Sequence, residues 1–329
     1  MNRMVVYSTD ENYVDLTLVS IVSLFRQYPE GGVTVCLLSN RVSEAGLEKL
    51  RNGVLSRGGT FLSFDVDEQL DAIRESGASE YTSFSAYARL LAPRLLHGKT
   101  DRFLYLDSDT LIVDRLDELF RMDLADKAFA IGYDCIRREY KQMIGLPSEK
   151  PYFNSGVLLV DVESWIRHRC SERIFQYMET VRSDFLFADQ DYFSLVLSED
   201  AAPLHPRFNF LTHFLLFTEH RSILRAFLIP CSAWAPKSDY EWALKHPSIY
   251  HFLGNTLGRP WFKESQNPLR PLYLKVAEEA GVPAVAQQSR PMEFYYRLQS
   301  FLHRILPQFL FTEVARLMYR VFYIKTYGK

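Results

Sequence analysis

Two carboxylates stand two residues apart at the end of an apolar run, Asp107 and Asp109 in YLDSDTLIV. Residues two apart on a strand point to one side, so a strand ending here delivers both carboxylates to one place. Paired hard oxygens suit Mg²⁺ or Mn²⁺ bridging to phosphate. The competing reading is a turn with two solvated aspartates, and the apolar strand directly before the pair favours the metal. A second signal is HFLGNTLGRPW, from His251 to Trp261. A neutral imidazole is a competent Mn²⁺ ligand and would complete a two-carboxylate site. Gly254 and Gly258 let backbone approach a ligand closely, and Arg259 offers a guanidinium for phosphate. The plainer reading is a core histidine in an aromatic loop, against which the flanking Gly, Arg, Pro and Trp weigh.

The third signal is Ser8-Thr9-Asp10-Glu11-Asn12-Tyr13. It falls where a first strand meets a first helix, the usual nucleotide position on a parallel sheet. No GxGxxG is present, which argues against a dinucleotide fold. Asp10 and Asn12 can read a base edge and Tyr13 can stack on it. A plain helix cap at Thr9 or Asp10 competes with that role.

These residues need a sheet to bring them together. Met4–Ser8 reads as a buried strand, Tyr13–Gln27 as a helix and Val33–Ser39 as a second strand. Ser43 caps a second helix. Thr60–Val66 is a third strand, Ser83–Leu96 a helix and Phe103–Asp107 a fourth strand. AFAIGYD and FNSGVLLVDV supply two more strand candidates, with helices at Ser171–Val181 and Asp189–Leu197. Short apolar strands alternating with helices predict an α/β fold with a mostly parallel sheet flanked by helices. Ligands on such sheets bind at the carboxyl ends of the strands. From Ala201 to Pro268 long loops and short elements are expected. Val282–Pro291 reads as a linker, which divides a catalytic domain over 1–281 from a C-terminal segment over 282–329.

The 329 residues carry 38 Lys+Arg against 40 Asp+Glu, a formal net charge of -2, with 47% hydrophobic and 24% charged residues. That balance excludes a disordered chain and gives no global positive field for nucleic acid. Cys36, Cys135, Cys170 and Cys231 form no CxxC pair or zinc-type cluster. Cys36, within VTVCLLS, reads as a small buried hydrophobe. MNRMVVYSTDEN meets charge too soon for a signal peptide. No apolar run approaches the roughly 18 residues of a spanning helix. A reduced, cytoplasmic protein is expected.

DxDxT after an apolar strand is also the first motif of haloacid-dehalogenase-like phosphatases, which would make Asp107 a nucleophile. That motif normally opens its fold, whereas three βα units precede it here, and no convincing Lys and paired-Asp motif follows. The ordered set of motifs instead resembles glycosyltransferase family eight, the family of bacterial lipopolysaccharide galactosyl- and glucosyltransferases and of glycogenin. The matching pieces are STDENY at Ser8–Tyr13, SFSAYARLLAPRLL at Ser83–Leu96, RFLYLDSDTLIV at Arg102–Val113 and YFNSGVLLVDVESW at Tyr152–Trp165. DQDYF at Asp189–Phe193, RFNF at Arg207–Phe210 and HFLGNTLGRPW complete the set, which spans roughly the first four-fifths of the chain.

The resemblance implies a glycosyltransferase-A-like fold and a retaining hexosyltransferase. Such an enzyme moves galactose or glucose from a UDP-sugar to a glycan acceptor, lipopolysaccharide or another surface polysaccharide, with Mn²⁺ or in its place Mg²⁺. By motif, Asp107, Asp109 and His251 resemble the metal ligands. Ser8, Asp10, Asn12 and Tyr13 resemble the uridine contacts and Arg89 the donor-side arginine, while Ser108, Gly254 and Arg259 fall within donor-binding motifs. Asp134, Asn154, Asp189 and Gln190 resemble residues around the donor sugar and acceptor, and Asp134, Asp189 and Gln190 are the catalytic candidates. Gln190 is the group for double displacement. Front-face attack assisted by the leaving phosphate stays open beside it, as does a structural role for Asp189 in holding Arg89. One departure stands out: the family's HxxGxxKPW has lysine six after histidine, whereas Arg259 comes eight after His251. A catalytically idle sugar-nucleotide-binding protein is the third reading, and the intact Asp107, Asp109 and His251 speak against it.

The last segment has its own character. Phe294, Leu298, Phe301, Leu302 and Ile305 make one apolar face, and after Pro307 the spacing recurs at Val314, Leu317, Met318, Val321 and Phe322. From Met292 to Lys329 there are six Lys/Arg against two Asp/Glu. A basic, aromatic, amphipathic segment suits an anionic membrane surface, which places the protein on the inner face of the cell membrane beside a lipid-linked acceptor. Helices docked on the catalytic domain are the competing reading. On the membrane reading a chain cut near Ser289 stays folded.

Overall fold

Eight residues from Arg3 to Asp10 form the first strand, buried on both faces as a central strand of a covered sheet must be. The computed structural model describes residues 3–75, 84–181, 185, 187, 189–254, 256–283, 289 and 292–327. Ser83, Asn255 and most of the expected linker, 284–288 and 290–291, lie outside the described residues.

In chain order β1 (Arg3–Asp10), α1 (Val14–Gln27), β2 (Val33–Asn40), α2 (Glu44–Leu55), β3 (Thr60–Asp65) and α3 (Asp67–Glu75) come first. Next are α4 (Ala92–Leu96), β4 (Arg102–Leu106), β5 (Thr110–Ile112), α5 (Asp117–Phe120) and β6 (Phe129–Tyr133). Then follow α6 (Arg138–Met143), β7 (Phe153–Asp161), α7 (Val162–Arg167), α8 (Cys170–Thr180), α9 (Asp189–Val196) and β8 (Ala201–Pro203). The chain ends through β9 (Phe210–Leu211), α10 (His220–Phe227), α11 (Lys237–Ala243), β10 (Ile249–His251), α12 (Arg270–Glu279), α13 (Phe294–Ile305) and α14 (Gln308–Tyr327). Two units divide these elements: Met1–Gly132 with Phe153–Leu204, and Tyr133–Tyr152 with His205–Lys329.

The first unit holds a seven-stranded sheet in the order β3-β2-β1-β4-β7-β6-β8. β1 pairs in parallel with β2 through Val5↔Val35 and with β4 through Val5↔Leu104, and β7 runs antiparallel to β4. The chain steps from β1 outward to β2 and β3, then returns to β4 on the other side of β1. The strand order therefore reverses between β1 and β4, and a crevice opens there at their carboxyl ends. α1 is buried at every position from Leu16 to Phe25, its Thr17, Ser20 and Ser23 included. Ser43 caps α2, its hydroxyl accepting from Gly46 N at 3.1 Å. The thiol of Cys36 lies wholly in the core, and burial pushes its pKa up to about 12.

The stretch expected as one helix over Ser83–Leu96 is instead a 3₁₀ turn at Phe84–Leu90 followed by the short α4. Pro93, in the first turn of α4, lacks the N–H that would bond back into a preceding helix.

The second unit is built around aromatic rings. Phe214 packs edge-on against Tyr240 at 5.2 Å and Trp234 at 5.7 Å, and the Tyr240 hydroxyl donates to Phe217 O at 2.6 Å. β9 and β10 pair in parallel, Leu211 opposite His251. α13 and α14 are separated at Pro307, as the sequence spacing predicts. α14 lies against α10: Phe311, Ala315 and Tyr319 are buried, with Tyr319 stacked on Phe227 at 4.6 Å. The opposite surface is apolar and exposed, with Phe294, Phe301 and Ile305 on α13 and Phe309, Leu317 and Val321 on α14. Because α14 supplies part of this unit's core, the expectation that a chain cut at Ser289 stays folded is withdrawn. Among the described residues no helix is long and apolar enough to cross a membrane.

Candidate active site

In the first unit the Asp-Ser-Asp turn caps β4 and is pinned from three sides. Asp107 N donates to Gly156 O at 2.8 Å, and the Thr110 hydroxyl donates to Asp107 O at 2.8 Å. The hydroxyls of Ser108 and Thr17 meet at 2.7 Å, and Ser108 Oγ also reaches Ser8 O at 3.3 Å. Ser108 thus ties the end of β4 to the end of β1 and to α1. Ser8 is anchored in turn, its hydroxyl donating to Ser85 O at 2.6 Å. Asp10 caps a 3₁₀ turn at Glu11–Tyr13, its Oδ1 accepting Asn12 N at 2.9 Å. Asn12 is exposed and Tyr13 half-buried beside it.

Arg89 is the charge centre of this unit. It is 4% exposed. Its Nη2 donates to Asp107 Oδ1 at 2.8 Å, its Nε donates to Ala86 O at 2.8 Å and pairs with Asp189 Oδ2 at 3.0 Å, and its Nη1 donates to Ser155 O. Burial works against the guanidinium's charge, but Asp107 and Asp189 outweigh it and the pKa rises. Burial likewise pushes the Asp189 carboxyl up to about 6, against the opposing pull of Arg89. Gln190 follows on α9, and its Oε1 accepts from Asn154 Nδ2 at 3.0 Å. Asn154 Oδ1 accepts from Gly156 N at 3.2 Å, so Gln190 is tied to the same segment of β7 that pins Asp107.

Asp134, His251, Gly254 and Arg259 belong to the second unit. His251, 1% exposed, ends β10, and its Nδ1 lies 2.9 Å from Asn209 Oδ1. An amide oxygen only accepts, so Nδ1 carries the proton and Nε2 the lone pair. Asp134, buried between β6 and α6, accepts Cys135 N on its Oδ1 at 2.6 Å. Gly254 has φ +77 and presses on His213, where a Cβ would come within 2.7 Å of Nε2. Burial lowers the His213 pKa, countered by Asp134 and reinforced by His251. Arg259 lies over the Trp261 ring at 5.5 Å, with Gly258 at φ +75 before it.

Three supporting residues were not singled out from sequence. Tyr105 read as strand core, Asn209 was only a letter within RFNF, and His213 carried no signal. Their partners lie 2, 42 and 41 positions away.

Comparison with known proteins bears on this arrangement. The description "Glycosyl transferase family 8" matches residues 4–265. General stress protein A of Bacillus subtilis is 25% identical over 273 residues, covering 82% of this chain and 91% of that protein. An Escherichia coli lipopolysaccharide 1,2-glucosyltransferase is 26% identical over 209 residues, 62% of this chain and 61% of that one. The galactosyltransferase LgtC, solved in complex with donor and acceptor sugar analogs, superposes with a TM-score of 0.68 at 24% identity, over 84% of this chain and 95% of LgtC. That likeness carries the fold, a large, mostly parallel sheet between helices. With the family's match covering most of its length, the chain is a member of glycosyl transferase family 8.

Proposed function

We propose that the protein is a retaining hexosyltransferase that takes galactose or glucose from a UDP-sugar and passes it to a surface glycan, using a divalent metal. The observation that carries this reading is the pinned Asp107-Ser108-Asp109 turn at the β1–β4 switch point, where a parallel sheet places a nucleotide. Asp107, Asp109 and His251 are the proposed metal ligands. Their chemistry fits the ion: two carboxylates with one imidazole whose Nδ1–H is committed to Asn209, which leaves Nε2 as the ligand nitrogen. The imidazole favours Mn²⁺ over Mg²⁺, which prefers oxygen throughout. When bound, the ion supplies Lewis acidity to the departing diphosphate.

The chain's own residues do the rest. Asp10, Asn12 and Tyr13, at the carboxyl end of β1, receive the uridine. Arg259, on its longer loop, adds positive charge to the diphosphate. Asn154 orients the Gln190 amide through the Oε1 contact, next to the proposed sugar position. Asp134 completes the set around sugar and acceptor, and both routes to retention remain compatible with Gln190, a weak nucleophile. Arg89 stays engaged with its two carboxylates and acts through them. With one Asp107 oxygen committed to Arg89 and Tyr105, phosphatase chemistry at Asp107 is disfavoured.

For the acceptor, the relative that is a lipopolysaccharide glucosyltransferase supports a lipid-linked glycan. The exposed apolar side chains of α13 and α14, in a segment with six Lys/Arg against two Asp/Glu from Met292 to Lys329, support seating on the anionic inner face of the cell membrane. On this reading residues 282–329 are the membrane-facing extension of a catalytic domain over 1–281. UDP release from UDP-glucose and UDP-galactose, with Mn²⁺ and with chelator, tests the activity.

A further inference from the structure

We infer that Tyr105 is a positioning residue for the metal site, one that together with Arg89 fixes Asp107 to coordinate through a single oxygen, Oδ2. The inference rests on the assignment of Asp107 as a metal ligand and deepens it.

The argument begins on β4. Tyr105 and Asp107 are two positions apart, so the strand pleat sends both side chains to the same side. The phenol runs alongside the carboxylate, and its hydroxyl donates to Asp107 Oδ1 at 3.0 Å. Arg89 Nη2 donates to the same oxygen at 2.8 Å. A carboxylate oxygen offers two lone pairs, and these two donors take both. A cation arriving at Asp107 is thereby directed to Oδ2. The guanidinium also lies over the Tyr105 ring, 4.4 Å from its centroid, so ring and arginine hold each other in place. Tyr105 is 1% exposed.

The charges explain why the second donor is a phenol. Arg89 is shared between Asp107 and Asp189, so the three side chains together keep one net negative charge for a cation. A second cationic donor would cancel that charge and repel the metal. A phenol fixes the carboxylate and adds none. Outer partners of this kind set the orientation of metal-ligating groups and are worth roughly 10–100-fold in metal affinity.

Tyr105→Phe deletes the hydroxyl and keeps the ring under Arg89. Mn²⁺ is titrated into the full-length protein, with free ion counted by electron paramagnetic resonance, and Asp107→Asn and wild type are run in parallel. The expected result is Mn²⁺ affinity weakened about tenfold in Tyr105→Phe and lost in Asp107→Asn. In UDP release from the better of UDP-glucose and UDP-galactose, the Mn²⁺ concentration for half-maximal rate should rise as the affinity falls, while kcat at saturating Mn²⁺ stays within about twofold. A merely structural role would instead lower the melting temperature and kcat and leave the metal requirement unmoved, and that outcome overturns the proposal. Wild-type Mn²⁺ affinity in Tyr105→Phe beside its loss in Asp107→Asn overturns the proposal and leaves the metal site standing. Unchanged affinity in Asp107→Asn overturns the metal assignment, and the positioning role with it.

Discussion

His251 shows how one neighbour decides what a side chain can do. Imidazole has two tautomers, and only the one with its proton on Nδ1 presents Nε2 as a ligand. Asn209 Oδ1, 2.9 Å away, selects it. Asn209→Ala removes the acceptor and frees the ring to turn or to move its proton. Mn²⁺ affinity, read by titration, is expected to fall about tenfold with the melting temperature little changed; wild-type affinity would show that packing alone holds the ring. Asp107, Asp109 and His251, the proposed ligands, could be singled out in the sequence because residue type carries their chemistry and each stands at the end of an apolar run. Asn209 could not be, because an asparagine gains its meaning from a partner 42 positions away. Asp10 had two readings in the sequence, a cap and a base reader; its Oδ1 makes the cap, and uridine contact is the role proposed beside it.

At the scale of elements, apolar runs located β1 to β4, β6 and β7, since strands of a covered sheet are short apolar runs, but not β8, three residues at Ala201–Pro203 in a stretch expected to hold loops and short elements. Periodicity failed at Ser83–Leu96, where the apolar spacing suits a helix but Pro93 and the tight turn before it divide the stretch. That break has a use: it sets Ser85 beneath Ser8 and turns Arg89 toward Asp107. The loop after β10 depends on a backbone conformation that the sequence marked only as a glycine. Gly254 sits at φ +77 with His213 against it. Gly254→Ala adds about 1–2 kcal/mol of left-handed strain and a contact at 2.7 Å. It is expected to lower the melting temperature by a few degrees and to weaken UDP binding, both measurable by a thermal shift with and without UDP. An alanine variant indistinguishable from wild type in both would show that this loop adapts freely.

At the scale of the whole molecule, the C-terminal segment was read as amphipathic, and the structure gives it two apolar surfaces. One is spent on α10 and the turn before it, where Tyr319 packs with Phe227 and Phe311 with Phe217. Sequence spacing could not tell the two surfaces apart, because a docked face and a lipid-facing face are equally apolar. Burial of a Phe or Tyr side chain is worth about 1.5–3 kcal/mol, so a chain cut at Ser289 is expected to melt well below the full chain. The exposed surface can be tested without unfolding anything. Phe294, Phe301 and Ile305 are 78%, 55% and 56% exposed. Replacing all three by Ser should leave melting unchanged and reduce sedimentation with anionic vesicles about tenfold or more. Wild-type binding should itself weaken with added salt, since lysine and arginine contribute about 1 kcal/mol each at an anionic surface. A parent protein that ignores anionic vesicles would contradict the membrane role.

The central claim is that this family 8 chain turns over a UDP-sugar at a metal held by Asp107, Asp109 and His251. The most direct test is UDP release from UDP-glucose and UDP-galactose by metal-stripped full-length protein, with Mn²⁺, with Mg²⁺ and with excess chelator, alongside Asp109→Ala and His251→Ala. The account predicts release from one donor that starts on adding Mn²⁺, is slower with Mg²⁺, stops with chelator and is absent in both folded variants. Equal release in chelator, or inorganic phosphate from simple phosphoesters without UDP release, would contradict it.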